Sequence, residues 1–258
     1  MELVLIGTGH VAHVLGKEWK AKGHRITQVW GRNPERTAAL ASLLDARPVV
    51  ALHTLSVTAD AYIIAVADVA VAAVAAALPP VQGLVLHTAG TVSLNTLAAP
   101  GRQYGVIWPI KMIRKSMDRL GVCTVVVDGN TPETLARVTV LARELSAQVT
   151  EAGDEQRAKM HLMAAMVSNF TNHLYDLANQ YGTAENIDLR LFQPLIEATA
   201  AGIAAQQPAD QQAGPAFRGN YDTLERHRAL LQSYPELLRV YDTLTNSILT
   251  RFGHEKLP

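Results

Sequence analysis

The chain has 258 residues, a length that allows one or two domains with a full hydrophobic core. Its 23 basic and 23 acidic residues leave no net charge, so neither a nucleic acid nor a membrane surface is an expected partner. The lone cysteine, Cys123, cannot form an internal disulfide, and no signal peptide or membrane-spanning segment is recognisable; we therefore expect a cytoplasmic protein.

Short apolar strands alternate with helical segments as far as residue 151. A strand at 3–6 is followed by a glycine turn and a helix over 10–22. The next strand, 26–30, leads to Asn33-Pro34-Glu35, a typical helix start with Asn as the cap. Further strands are predicted at 62–66, 83–87, 105–108 and 122–127. Such alternation predicts an α/β fold with a mainly parallel, doubly wound sheet and helices on both faces.

The periodicity becomes helical after about Glu151, and no further strand is predicted. Helices are expected at 154–181, 188–206, 221–233 and 235–252. We therefore predict two domains, 1–151 and 152–258, of which the second is all-α. Because a domain of about 100 residues with long apolar helices rarely covers all its apolar surface, we also expect a homodimer formed through this half.

A glycine-rich segment, Gly7-Thr8-Gly9-His10-Val11-Ala12, lies directly between the first predicted strand and helix. This context and the G-x-G-x-x-A spacing are typical of a dinucleotide-binding Rossmann domain. Gly7 would allow the tight turn, Gly9 the close approach of a pyrophosphate, and Ala12 the close packing of helix on sheet. An ordinary glycine-rich turn is the alternative.

The residues after the second strand favour NADP(H) over NAD(H). An acidic residue there would bind the ribose 2′-hydroxyl and repel a 2′-phosphate, whereas this chain has Arg32 and Asn33. Arg32 can pair with a phosphate and stack on adenine, and Asn33 can donate a further hydrogen bond. A solvated surface arginine is the alternative. Val66 and Ala67, at the end of the strand 62–66, complete the cofactor contacts expected from this half of the sheet.

Four segments of the chain resemble the family catalogued as domain of unknown function 2520. They are Tyr104–Pro109, His161–Tyr175, Pro194–Thr199 and Gly214–Gly219. The resemblance runs through nearly the whole chain and implies an NADP-dependent oxidoreductase without implying a substrate. It also implies an architecture similar to pyrroline-5-carboxylate reductase and β-hydroxyacid dehydrogenases, with a C-terminal domain of the 6-phosphogluconate dehydrogenase C-terminal-like type. The loop near the nicotinamide would then be formed by His87, Thr88, Ala89 and Gly90.

Two departures limit this resemblance. The chain has Lys111-Met112-Ile113 where the family tends to have Gln-Thr-Phe. β-Hydroxyacid dehydrogenases carry a catalytic Lys, and four residues later an Asn, on the first long helix of their second domain. His161 and Ala165 hold the matching positions here, so that lysine mechanism is not transferred.

The helix predicted from residue 154 has a polar stripe formed by Arg157, His161, Ala165, Ser168 and Asn172. Small and neutral polar residues with one histidine suit a ligand pocket better than a solvated face. Histidine can exchange a proton near neutral pH, which makes His161 the main candidate for the acid or base, with a hydrogen-bonded structural histidine as the alternative. Asn172 would orient the distal end of the substrate or a water molecule.

The opposite stripe, of Met163, Met166, Phe170, Leu174 and Leu177, is interpreted as hydrophobic core. Two cations are further candidates. Lys111 follows a predicted strand and is a substrate-carboxylate or proton-donor candidate, with a surface lysine as the alternative. Arg218 could clamp an anionic group, while His173 and His227 are interpreted as packing residues. The nine histidines show no metal-binding pairing, so no metal site is expected.

These features together predict an enzyme that transfers hydride between NADP(H) and a small, anionic C=O or C=N substrate. The alternative is a non-catalytic dinucleotide-binding or regulatory protein that retains the fold.

Overall fold

The computed structural model describes residues 1–258, and its first part is built around one eight-stranded sheet. The strands are β1 (Glu2–Ile6), β2 (Arg25–Trp30), β3 (Arg47–Val49), β4 (Ala61–Ile64), β5 (Leu84–His87), β6 (Tyr104–Ile110), β7 (Thr124–Gly129) and β8 (Gln148–Glu151). Their order is β3-β2-β1-β4-β5-β6-β7-β8. Every neighbouring pair is parallel except the hairpin β6–β7. The predicted mainly parallel sheet is confirmed, and its strand order reverses between β1 and β4.

Four helices pack on the sheet, and five follow it. The first four are α1 (His10–Ala21), α2 (Pro34–Leu43), α3 (Val71–Ala77) and α4 (Pro132–Arg143). The others are α5 (Asp154–Ala164), α6 (Thr171–Ala184), α7 (Gln193–Gly202), α8 (Tyr221–Leu230) and α9 (Pro235–Arg251). A π-helical turn, Ala165–Phe170, joins α5 to α6. None of these helices is both long enough and apolar enough to cross a membrane.

The sheet separates two hydrophobic cores, because successive side chains of a strand point to opposite faces. Leu3 and Leu5 of β1 pack into the core that includes α1, α2 and α4. Val4 and Ile6 of the same strand pack into the core that includes α3. The prediction of helices on both faces is therefore confirmed.

The two edge strands of the sheet, β3 and β8, were not predicted from the sequence. β3 has three residues, and β8 is a polar segment on the other edge of the sheet, with no fully buried residue. An edge strand pairs on one side only and needs little apolar character, so hydrophobic patterning does not mark it.

The chain divides into two compact units, Met1–Asn169 and Phe170–Pro258. The predicted domain boundary at residue 151 coincides with the last residue of β8. The compact units divide instead within the π-helical turn, because α5 packs with the residues of the sheet. The second unit contains α6 to α9, and Asn220 caps α8 by accepting a hydrogen bond from Thr223 N–H.

Candidate functional site

A groove of about 480 Å³ lies at the carboxyl ends of β1, β2 and β4, where the strand order reverses. Open parallel sheets bind their ligands at this edge. Nine of the residues predicted to contact the cofactor line it, namely Gly7, Thr8, Gly9, His10, Val11, Arg32, Asn33, Val66 and Ala67. Residues that are distant in sequence thus come together in one site of the size expected for a cofactor.

The turn after β1 depends on Gly7. Its φ of +129° lies in the region that favours glycine, and a Cβ atom there would stand 2.1 Å from the Ala65 carbonyl oxygen. Gly7 N–H donates to Trp30 O at 2.7 Å, which ties the turn to the end of β2. The turn is thereby held close to the strand ends, and the space of the groove beside it stays open.

The amino terminus of α1 faces this groove. Its cap residue is Gly9, no side chain accepts a hydrogen bond from its first turn, and no acidic residue lies in that turn. A Cβ atom on Gly9 would meet nothing within 4 Å. Free backbone N–H groups and open space at a helix amino terminus form an anion site, and the residues present therefore fit the pyrophosphate of a dinucleotide.

Two arginines lie at the β2 end of the groove. Arg32 and Arg36 are both exposed and both line it, whereas no acidic residue does. The Asn33 side-chain oxygen is used as the cap of α2, since it accepts from Arg36 N–H at 2.8 Å, and only its amide nitrogen is left to donate. Arg36 was missed from the sequence, although its place in the first turn of α2, directly after the end of β2, could have indicated it.

The loop predicted to lie near the nicotinamide, His87–Gly90, continues the same edge of the sheet. Thr88 N–H donates to the Ile64 carbonyl of β4 at 3.2 Å, so this loop lies beside the end of β4. All four of its residues are buried, and the His87 side chain has no exposed surface. The His87 side chain therefore lies beneath the surface of the loop and would act on a cofactor only by supporting the loop backbone. That role remains a prediction.

His87 is a neutral histidine in this environment. Burial, reinforced by the positive charge of Arg157, lowers the pKa of its imidazole to about 4. Its Nδ1 accepts a hydrogen bond from Ala89 N–H at 3.2 Å, and its Nε2 is buried without a hydrogen-bond partner of good geometry. The His87 side chain thus stabilises the turn of the loop by this hydrogen bond and contributes nothing to its exposed surface.

His161 of α5 covers this loop. A Cβ atom on Gly90 would lie 2.6 Å from His161 Cδ2 and 2.8 Å from Trp108 Cε2, so both rings rest directly on the glycine. The centroids of the two rings are 5.6 Å apart, with 37° between their planes. The half-buried His161 ring is therefore held against a buried tryptophan and the backbone of the predicted nicotinamide loop.

A second cavity, of about 230 Å³, opens beside His161. Its lining is mainly apolar, with a few polar groups, and consists of Trp108, Ile110, Lys111, Met112, His161, Ala164, Ala165, Val167, Ser168 and Asn169. The predicted pocket-facing residues His161, Ala165 and Ser168 are thus brought together. Trp108 and Asn169 were missed, because only the tertiary structure brings them beside His161.

Lys111 lies at this cavity, but its ammonium group is already engaged. The Nζ atom donates to the Val122 carbonyl at 3.0 Å, across the β6–β7 hairpin, and the residue is exposed. This contact favours the alternative of a surface lysine with a structural role. Cys123, next to that carbonyl, is free and buried.

The remaining candidates lie in the second unit. Asn172 and Arg218 are both exposed there. His173 is exposed as well, so its interpretation as a packing residue is wrong for the single chain. His227 is half-buried, and its Nδ1 lies 2.9 Å from the Tyr241 hydroxyl, which agrees with a structural role.

The stripe interpreted as core is exposed in the single chain, with one exception. Leu177 is buried, whereas Met163, Met166, Phe170 and Leu174 are 63%, 55%, 60% and 38% exposed. Helical periodicity correctly groups these residues on one face, but it does not say whether this chain or another molecule covers that face.

Two known families match different parts of the chain. Residues 2–87 match the family described as NADP oxidoreductase coenzyme F420-dependent, and residues 123–248 match the domain of unknown function DUF2520. No curated protein matches the chain. The first match spans most of the residues that line the groove, and it confirms NADP as the cofactor.

Solved structures are similar over almost the full length. A Bacteroides fragilis protein described as "putative NADP oxidoreductase BF3122" is 31% identical, with a TM-score of 0.89 over 97% of this chain and 98% of that one. A 1-pyrroline-5-carboxylate reductase from Streptococcus pyogenes is 18% identical, with a TM-score of 0.69 over 97% of this chain and 98% of that one. A reductive aminase from Aspergillus terreus, solved with NADPH, is also 18% identical, with a TM-score of 0.72 over 98% and 96% of the two chains.

The last two likenesses concern the fold alone, and they confirm the predicted Rossmann domain followed by a helical domain. Identity with the Bacteroides fragilis protein extends through both halves of the chain. The chain therefore belongs to the DUF2520 family of NADP oxidoreductase-type proteins.

Proposed function

We propose that this protein is an NADP(H)-dependent oxidoreductase that transfers hydride to or from a small C=O or C=N substrate. The observation that carries the proposal is the arrangement of two sites along one edge of the sheet. Ala65–Ala67, at the end of β4, line the dinucleotide groove, the loop 88–90 lies beside the end of β4, and His161 covers that loop. Reduction of C=O or C=N needs a proton as well as a hydride, and a histidine beside the dinucleotide site can supply it.

Several residues of the groove would hold the cofactor. Backbone N–H groups at Gly9 and the start of α1 would bind the pyrophosphate, and Arg32 with Arg36 would bind the 2′-phosphate. When bound, NADPH supplies the hydride. The absence of acidic residues from the groove removes the repulsion that a 2′-phosphate would otherwise meet.

His161 would provide the proton that accompanies reduction of C=O or C=N. Its ring is half-buried, it lines the cavity of about 230 Å³, and Trp108 and Gly90 restrict its movement. A proton donor held in one orientation needs little reorganisation during the reaction. Ser168 and Asn169, which line the same cavity, can hydrogen-bond a polar group of the substrate.

We also propose that the substrate is anionic, with Arg218 or Lys111 as the residue that binds its negative group and Asn172 as the residue that orients it. Arg218 has an exposed guanidinium group that is free to clamp a carboxylate, and Asn172 is an exposed amide able to orient it. Lys111 is the weaker choice for the anion, because its Nζ atom already donates to Val122 O. We further propose a homodimer formed through the second unit, and a reducing compartment such as the cytoplasm, in keeping with the unpaired Cys123.

The substitution His161→Ala tests the proposed role directly. With NADPH and a panel of small cyclic imines and 2-oxo acids, we expect kcat to fall by roughly 100-fold or more, while NADPH affinity changes little. The matched control is His53→Ala, an exposed histidine of the same unit, which should behave as wild type. Turnover near the wild-type rate in the His161 variant would make His161 a structural residue. NADPH binding without turnover of any panel member would favour the non-catalytic alternative.

A further inference from the structure

The first turn of α5 is clamped to the loop that follows β5. Asp154 accepts hydrogen bonds from Leu94 N–H, at 2.8 Å, and from the Ser93 hydroxyl. Arg157, on the next turn of the helix, donates to the Val92 carbonyl at 2.7 Å and to Asp154. One helix turn and one loop are thus joined by a connected set of charged and backbone groups.

Arg157 is the centre of this clamp, and it is 1% exposed. Besides Val92 and Asp154, its guanidinium group donates to Asp128 of β7 and to the Ala152 carbonyl, both at 3.3 Å. A fully buried arginine is costly unless it is paired, and here it makes two ion pairs and two backbone hydrogen bonds. Its planar fork of donors reaches three separate segments at once, which a lysine ammonium cannot do equally well.

His161 follows Arg157 by four residues on the same helix, about one turn, so the two side chains share a face. That turn brings the His161 ring onto Gly90, within the loop that Arg157 fixes at Val92. Two side chains of α5 therefore contact this loop, Arg157 at Val92 and His161 at Gly90. No other charged group of α5 bonds to the loop except Asp154.

We infer that Arg157 is a positioning residue for hydride transfer: it holds α5 against the loop after β5, and so keeps the His161 ring in place on the loop 88–90. This inference rests on the proposed function and extends it to a buried residue outside the cavity lining. Arg157 does not touch the cavity, so it acts through His161 and the loop. Its charge also faces the buried His87, together with Asp154 and Asp68, and it favours the neutral imidazole below the loop.

The test compares Arg157→Met and Arg157→Lys with the control Arg143→Met, which removes an exposed arginine of α4. In Arg157→Met we expect kcat on the imine and 2-oxo acid panel to fall by roughly 10- to 100-fold, with NADPH affinity unchanged within about twofold. Arg157→Lys should recover part of this loss, because the positive charge and an ammonium donor group remain, although without the planar fork of the guanidinium. The control should match wild type.

Histidine NMR provides a readout that a purely structural role would not move in this way. The His161 ring signal should lose the shift caused by the adjacent Trp108 ring in Arg157→Met, and the His87 pKa should rise because the nearby positive charge is gone. If Arg157→Met does not fold, Asp154→Asn loosens the same clamp and should give a smaller change in the same direction. An unchanged His161 signal and unchanged kcat in a folded variant would overturn the inference. A wild-type protein that reduces no panel member would contradict the proposed function, while the NMR comparison would still decide the positioning role.

Discussion

The two units differ in how they treat their apolar side chains. In the first, β1, β4 and β5 are buried almost completely, and the cores on both faces of the sheet are covered by helices of the same unit. In the second, α7 is rich in apolar residues and yet has none that is buried. Both faces of the sheet in the first unit are covered by helices of that unit, whereas α7 of the second unit leaves an apolar surface that suits another molecule.

This difference matches the division of roles that we propose. A fixed groove needs a rigid scaffold, and the glycine turn, the α1 amino terminus and the buried loop 88–90 all rest on the sheet. An exposed apolar helix surface has no value to a single chain, since it costs solubility without adding stability. The second unit is therefore the half whose structure we expect to depend on association.

The largest effect should come from Gly7, and its neighbour Gly9 provides the contrast. Gly7→Ala forces a Cβ atom into the Ala65 carbonyl oxygen at a positive φ, so we expect a loss of about 3 kcal/mol or more in the free energy of unfolding. Gly9→Ala meets nothing within 4 Å and should keep the wild-type Tm, but its methyl group occupies space needed by the pyrophosphate. Thermal unfolding and NADPH titration separate the two. Equal Tm values for both variants would contradict the account of the turn.

The exposed helix α7 tests the other side of the comparison. Leu195 is 64% exposed, and Leu195→Glu should convert the expected dimer to a monomer because a carboxylate would be buried at the interface. Val140→Glu is the matched control, since Val140 is 61% exposed in the first unit. Light scattering at micromolar concentration gives the mass. A monomeric wild-type protein would contradict the dimer proposal, and equal effects of both substitutions would show that α7 is not special.

A smaller effect should come from the pH dependence of the first unit. The folded pKa of His87, about 4, is below its ordinary value of 6.5, so between these pH values only the unfolded chain binds the proton. This histidine should therefore lower the free energy of unfolding as pH falls through that window, by up to roughly 3 kcal/mol in total. His87→Asn retains an acceptor for Ala89 N–H and should show a flatter dependence in denaturant unfolding, whereas His53→Asn should not. Parallel curves for wild type and His87→Asn would exclude this explanation.

The sequence predicted those parts of the fold that depend on local patterns. Asn33-Pro34 marks the start of α2, as observed, and the apolar strands β1, β4 and β5 lie within a residue or two of their expected positions. The edge strands β3 and β8 were missed because they are short and carry little apolar pattern. Local signals are strong where a segment is buried on both faces and weak at the margins of the sheet.

Those parts of the site that are formed by residues close together in sequence were predictable, and those that join distant segments were not. The groove follows from one glycine motif and the end of β2, and the residues there lie together as expected. Arg157 was grouped with the pocket-facing stripe and is instead buried under the residues 92–94, because periodicity gives a face but not what covers it. The contact of His161 with Trp108 and Gly90 joins three segments that no sequence pattern connects.

The most direct test of the account is a competitive titration of NADPH and NADH against wild type and Arg32→Ala, with Arg36→Ala as a second variant. Pairing of the arginines with the 2′-phosphate predicts that wild type binds NADPH more tightly by about 1 to 3 kcal/mol, and that Arg32→Ala loses most of this preference. NADH affinity should change little in either variant, because the rest of the groove is intact. An equal affinity for both dinucleotides in wild type, or an unchanged preference in Arg32→Ala, would contradict the central claim.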